Sequence, residues 1–248
     1  TGDLGPPTTR ALSHTQMGEN LLNLEDPPVK AIVIYCANPC ASSPQQETLH
    51  RGLSREDLFT VVIENFPTDT VDYADIVLPS TMQTEHTEIL NAGGHLYLQW
   101  NEPAVEPAGE CLPHTEIFRR LARVMGLNDP CLYDSDEDLA RSILESDDPA
   151  LDGITLEKLK EHGWLRLNLP SPYLPFADGF PTPSGKLEFN SGQAATTGLD
   201  PIPGYTPPGE VADDALAERY PLALVAPASH YFLNSIFANM PEMLERAG

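Results

Sequence analysis

The chain has 248 residues, with 37 acidic side chains against 14 basic ones and a net charge of −23. That balance repels nucleic acid and anionic membrane surfaces, because phosphate binding requires clustered Lys and Arg; a solvated, highly soluble surface accounts for the acid excess. Apolar residues make up 41%, enough for a sizeable core, and no apolar run approaches the roughly 20 residues of a membrane-spanning helix.

The opening residues, Thr1 to Pro7, read like the interior of a longer sequence and carry no basic-then-apolar leader. Residues 1–28 form a polar lead-in with one weak helix, Thr15 to Leu24, stopped by Pro27 and Pro28. The β-branched run Val29–Tyr35 suits a buried strand of a parallel sheet. Its exit, Cys36-Ala-Asn-Pro39, reads as a turn, and Ser43-Pro44 reads as the cap and first residue of a helix on which Leu49 and Leu53 lie one turn apart. Leu58–Ile63 and Asp75–Pro79 read as two further strands. Strand, helix, strand, short connection, strand is the grammar of a doubly wound, Rossmann-like parallel α/β sheet, in which ligands bind outside the carboxyl ends of the strands. Those ends are Asn38, Glu64 to Thr70, and Ser80-Thr81.

Residues 82–113 read as irregular. A helical apolar face follows at Ile117, Phe118, Leu121, Val124 and Met125, stopped by Gly126, and a second helix runs from Asp136 to Leu144. Residues 170–210 are dense in proline and read as a long excursion containing a β-turn and a strand, Lys186–Asn190. Tyr220–Ala226 opens a last strand, the truncated start of a β-rich C-terminal domain. The expected division is a lead-in at 1–28, a nucleotide-cofactor-binding α/β domain at 29–148, a Pro-rich extension and linker at 149–219, and the truncated domain at 220–248.

Glu64 is the sharpest single candidate. A carboxylate at the end of the second strand of a β-α-β unit can take two donors at once, from ribose hydroxyls or from the N–H face of guanine; the bland alternative is a solvent-facing loop acid. No G-x-G-x-x-G follows the first strand, which weighs against an ordinary NAD site. Gly179–Lys186 resembles a P-loop only superficially. The pair Cys36 and Cys40 has further cysteines only at Cys111 and Cys131, so reduced thiols of a cytoplasmic protein are expected rather than a cluster site. Glu85, His86 and Glu88 could serve as metal ligands or as an acid/base pair, with a satisfied surface cluster as the plainer reading, and His95 could approach a ligand. Ser229-His230 and Asn234-Ser235 follow the last expected strand.

Four stretches together resemble one family, the molybdopterin oxidoreductases of the dimethyl-sulfoxide-reductase type. They are Val29–Pro39, with its strand followed by Asn-Pro; Asp57–Thr70 with Tyr73–Pro79; Pro181–Asn190, similar to the family's TPSGK-x-E-F element; and Ser229–Ser235. The resemblance implies a portion of such an enzyme, with a bis(molybdopterin guanine dinucleotide) cofactor carrying molybdenum or tungsten in the parent. It further implies that Glu64 and Thr68 contact the guanosine end of one pterin cofactor, that Asn38 and Pro39 belong to the loop cradling that end, and that His230, Asn234 and Ser235 approach the pterins. Asp75 is expected to play a supporting role. The ligand to the metal, and any [4Fe-4S] cluster, would lie in parts outside this chain, so no metal-ligating or catalytic residue is assigned within it. The isolated chain is expected to show no turnover and little cofactor affinity. The parent's partners would be a small-molecule redox substrate and an electron-transfer partner, with no nucleic acid and no membrane insertion by this segment. Two alternatives stand beside this reading: a stand-alone nucleotide-binding module without a redox role, and a small hydrolase using Asp75, Glu85 and His86.

Overall fold

The computed structural model describes residues 10–248, so the first nine residues of the expected lead-in lie outside the described residues. These residues fall into two compact units, one running to Leu169 and including Ser229–Gly248, the other Pro170–Ala228.

The first unit opens with a short 3-10 turn and α1 (Met17–Asn23), followed by β1 (Ala31–Tyr35), α2 (Pro39–Ser42), α3 (Gln46–Leu53), β2 (Phe59–Glu64) and β3 (Ile76–Pro79). The three strands form a parallel sheet in the order β1-β2-β3. Ile34 lies opposite Val62, and Glu64 opposite Pro79, so all three strands end at the same edge. One face of the sheet packs on α1 and α3 through a core of Leu21, Ile34, Leu49, Leu53, Leu58 and Val62. The helices cross closely enough to need glycine: a Cβ on Gly18 would stand 2.6 Å from the Leu49 nitrogen, and one on Gly52 would stand 2.9 Å from the Leu21 Cβ.

The expected helix start at Ser43-Pro44 is corrected. Pro39 instead takes the first turn of α2, where its missing N–H costs nothing. Ser43 closes that turn by donating its N–H to the Pro39 carbonyl, and its hydroxyl pairs with His14 Nε2 at 3.1 Å. The chain then reverses at Gln45, in left-handed backbone at φ 56°, before α3 begins.

The stretch expected to be irregular contains an antiparallel hairpin, β4 (Glu88–Asn91) and β5 (Tyr97–Asn101). Alternation at Leu98 and Trp100 places both side chains in a second core with Ala140, Leu144, Leu156 and Leu159. After α4 (His114–Val124) and α5 (Asp136–Leu144) come α6 (Leu156–His162) and β6 (Trp164–Arg166), which pairs antiparallel with β5. The signals for α6 are present in the sequence: Thr155 accepts from the Lys158 N–H, and Gly163 ends the helix at φ 76°. The apolar face expected on α4 is only partly covered. Ile117 is buried, Phe118 meets Tyr35 edge-on at 5.3 Å, and Val124 stays 86% exposed.

The second unit holds α7 (Gly192–Thr196), α8 (Gly209–Ala212) and α9 (Asp214–Arg219). The β-turn before Lys186 forms, with the Gly185 N–H donating to the Thr182 carbonyl at 3.0 Å. The strands expected at Lys186–Asn190 and Tyr220–Ala226 do not form. Neither run has a ladder partner among the described residues, and Leu222 and Leu224 remain almost fully exposed. The chain ends with α10 (Pro241–Ala247), back in the first unit. Among the described residues no helix is long and apolar enough to cross a membrane.

Candidate functional site at the strand ends

The carboxyl ends of β1 and β2 open onto a cavity of about 660 Å³, within the size range of small-ligand pockets. It lies wholly in the first unit. Its floor is Cys36–Asn38 and the loop Glu64–Asp69; Met82 and the C-terminal segment Ser235–Met240 complete it.

The loop after β2 is built by its own side chains. Asn65 donates from Nδ2 to the Ser80 carbonyl (3.1 Å), the Ser80 hydroxyl (3.2 Å) and the Thr81 carbonyl (2.8 Å), tying the exit of β2 to the exit of β3. Glu64 accepts the Asn65 N–H on one carboxylate oxygen at 2.8 Å, and no partner is found for the other oxygen among the described residues. The Thr68 hydroxyl oxygen is buried without a hydrogen-bond partner. A buried oxygen left unpaired carries a desolvation cost that an arriving donor or acceptor removes.

The expected site residues divide accordingly. Asn38, Glu64, Thr68 and Ser235 are brought together around one cavity; Pro39, His230 and Asn234 lie outside its lining. Pro39 is fully buried in the first turn of α2, while His230 is exposed. Asn234 adopts left-handed backbone at φ 52°, the turn that leads into Ser235. Residues not singled out from the sequence also line the cavity, among them Phe66, Met82 and Phe237. Phe66 could have been found by its place at the end of β2; Phe237 and Met82 carry no such signal.

Beside the cavity, Cys36 Sγ lies 3.5 Å from His114 Nε2. Burial, with Glu64 and Glu88 nearby, pushes the Cys36 thiol above its usual pKa. Burial, with His86 nearby, pushes His114 below its usual value against the opposing pull of Glu64 and Glu88. The thiol is therefore protonated and the imidazole neutral at pH 7.

The hydrolase reading does not survive this geometry. Asp75 accepts the Thr60 N–H at 2.6 Å at the entry to β3. Glu85, beyond the exit of that strand, accepts the N–H groups of Met82 and Ala108, and His86 Nδ1 pairs with the Thr81 hydroxyl. The three side chains serve separate structural partners rather than one pocket. His95 pairs with the backbone of Tyr97 and is not among the cavity's lining. Among the described residues no group of three or more His, Cys, Asp or Glu side chains is arranged to hold a metal ion.

Comparison with known proteins follows the same lines. A family model described as molybdopterin oxidoreductase matches residues 10–124. A probable oxidoreductase of Bacillus subtilis, YoaE, is 40% identical over 233 residues, covering 94% of this chain and 33% of that protein. The dimethyl sulfoxide reductase DmsA of Escherichia coli is 26% identical over 226 residues, covering 80% of this chain and 28% of that protein. The solved structure of acetylene hydratase from Pelobacter acetylenicus matches with a TM-score of 0.70 at 27% identity, over 94% of this chain and 32% of its own. The chain thus spans about a third of the length of the curated relatives it matches. With the parallel sheet and the cavity at its strand ends, these matches establish that the chain belongs to the molybdopterin oxidoreductase family, enzymes built around a molybdenum or tungsten pterin cofactor.

Proposed function

We propose that this chain forms one wall of the site that holds the guanosine end of a molybdopterin guanine dinucleotide cofactor. The observation that carries the reading is the meeting, on one cavity, of Glu64, whose carboxylate keeps an open acceptor oxygen, with Thr68, whose hydroxyl is buried and unpartnered.

The donor set fits the group. Glu64 can take two donors at once, from the guanine N–H face or from a ribose diol, and Thr68 gains the hydrogen bond it lacks. Phe66, Met82 and Phe237 each expose apolar surface toward solvent and line the same cavity, suiting the flat face of a purine. The lining includes Glu64 and Asp69 and, among the described residues, no Lys or Arg. An acidic lining favours the neutral base and ribose over the phosphates, which this reading places beyond the wall. Ser235 closes the cavity from the C-terminal side; His230 and Asn234 lie on the segment that leads to it, and Pro39 follows Asn38 as the first residue of α2.

In the whole enzyme the bound cofactor supplies oxygen-atom or two-electron transfer at its metal. The residues of this chain bind and orient its nucleoside end. The metal's protein ligand, any iron–sulfur cluster, the redox substrate and the electron-transfer partner belong to parts of the enzyme outside this chain. Four free cysteines suit the reducing cytoplasm, where we place the enzyme.

Equilibrium binding of GDP and ADP to the full chain tests the reading. The expected result is weak, saturable binding of GDP, equal binding of guanosine, much weaker binding of ADP, and a loss of about tenfold or more on Glu64→Gln. Equal binding of GDP and ADP, or no effect of Glu64→Gln, would overturn it.

A further inference from the structure

Between Glu64 and Asp69 the chain has no helix or strand, so side chains must set its shape. Asn65 ties the start of the loop to β3. At the far end Asn38, buried where β1 ends, donates from Nδ2 to Asp69 Oδ2 at 3.1 Å. Its Oδ1 accepts from the Thr70 N–H at 3.3 Å and from the Thr70 hydroxyl at 2.7 Å. The Thr70 hydroxyl oxygen in turn accepts the Cys40 N–H at 3.2 Å. Thr70 is 0% exposed.

Both acceptor sites of the Asn38 amide oxygen and one of its two amide protons are therefore occupied inside the protein. Although Asn38 lines the cavity, all of its side-chain bonding capacity except one amide proton is committed to the protein rather than to an occupant. Its bonds, together with the one Thr70 accepts from Cys40, instead join three segments: the turn after β1, the first turn of α2, and the loop that presents Glu64 and Thr68. In a buried site such a connected network is strong when every member is satisfied.

We infer that Asn38 and Thr70 are a positioning pair, which fixes the Glu64–Asp69 loop before any ligand arrives and does not itself read the nucleoside. The inference rests on the guanosine reading for the identity of the ligand, but not for the order of the loop. A loop held in its binding shape avoids the cost of ordering on association.

The experiment uses the full chain with three variants. Thr70→Val keeps the volume and removes the hydroxyl, Thr70→Ser restores the hydroxyl, and Asn38→Ala removes the other partner. Amide hydrogen exchange is measured without ligand. The Thr68 and Val71 N–H groups, bonded to the Phe66 and Thr68 carbonyls, are expected to exchange about tenfold faster in Thr70→Val and Asn38→Ala. Val62 and Ile63 in β2 should keep their rates, and Thr70→Ser should behave as wild type. GDP is then titrated, with an expected loss of about tenfold in Thr70→Val and none in Thr70→Ser.

Unchanged exchange at Thr68 and Val71 in both disruptive variants would overturn the inference, whatever happens to GDP binding, since the pair would then not order the loop. Acceleration shared equally by β2 would also overturn it, by showing general destabilisation. Failure of the guanosine reading is separable. It would appear as GDP binding indifferent to Glu64→Gln, with the exchange pattern intact.

Discussion

Residues 29–80 and residues 170–228 both contain apolar runs with strand-like composition, yet only the first region forms strands. In the first, β1 pairs with β2 along its full length, from Ala31 opposite Phe59 to Tyr35 opposite Ile63, and β2 pairs with β3. In the second, Lys186–Asn190 and Tyr220–Ala226 find no ladder among the described residues. Proline supplies part of the reason. Pro221 sits inside one run, and a residue without an N–H cannot donate to a ladder. The contrast teaches that composition proposes a strand and pairing decides it. A functional site at strand ends can arise only where pairing has succeeded.

The largest expected effect sharpens that contrast directly. Val62 is 0% exposed at the centre of the parallel sheet and Leu224 is 93% exposed in the unpaired run. Val62→Asp should cost more than about 4 kcal/mol, enough to unfold the first unit, while Leu224→Asp should stay within about 0.5 kcal/mol. Urea denaturation followed by circular dichroism reads both. Similar losses at the two positions would break the comparison.

Next in size is the helix layer that backs the sheet. Gly18→Ala drives a methyl group to 2.6 Å from backbone on α3, and should cost about 2 kcal/mol through separation of α1 from α3. Gly204→Ala in the second unit, with nothing closer than 3.9 Å, should leave the urea midpoint within experimental scatter. A smaller effect is expected at Asp75, whose carboxylate fastens the entry of β3 to the Thr60 N–H. Asp75→Ala should cost about 1 kcal/mol and speed hydrogen exchange at Thr60 specifically.

Much of the first region is legible in the sequence because local and global signals agree there. Val29–Tyr35 and Leu58–Ile63 contain β1 and most of β2, and Leu49 and Leu53 are buried as their spacing implies. Ser43 misled because a good cap residue was already committed to closing α2 and to His14. The hairpin β4–β5 was hidden because Ile89 is the one β-branched residue in its two strands and each strand ends on an Asn, a residue depleted in strands. The site was half legible. Glu64 and Thr68 follow from the rule that ligands sit at strand ends, but Phe237 reaches the cavity from a segment 173 residues beyond Glu64. No periodicity in the sequence encodes such an approach. The inward commitment of the Asn38 side chain depends on Thr70, 32 residues away, and could not be read either.

The smallest expected effect probes the site without any ligand. Because Glu64 helps hold the Cys36 thiol above its usual pKa, thiolate forms only at higher pH, and alkylation by iodoacetamide should be slow at pH 8. Glu64→Gln removes one of the charges that raise that pKa, so the midpoint of the rate-against-pH curve should fall. An unmoved midpoint would show that Glu64 does not face the Cys36 side of the cavity.

The most direct test of the site is a map of amide NMR shifts as GDP is added to the full chain. The expected shifts concentrate at Glu64–Asp69 and Ser235–Met240, spare residues 170–228, and disappear in Glu64→Gln. Shifts scattered over both units, or the same pattern produced by ADP, would contradict a guanosine site at the ends of β1 and β2.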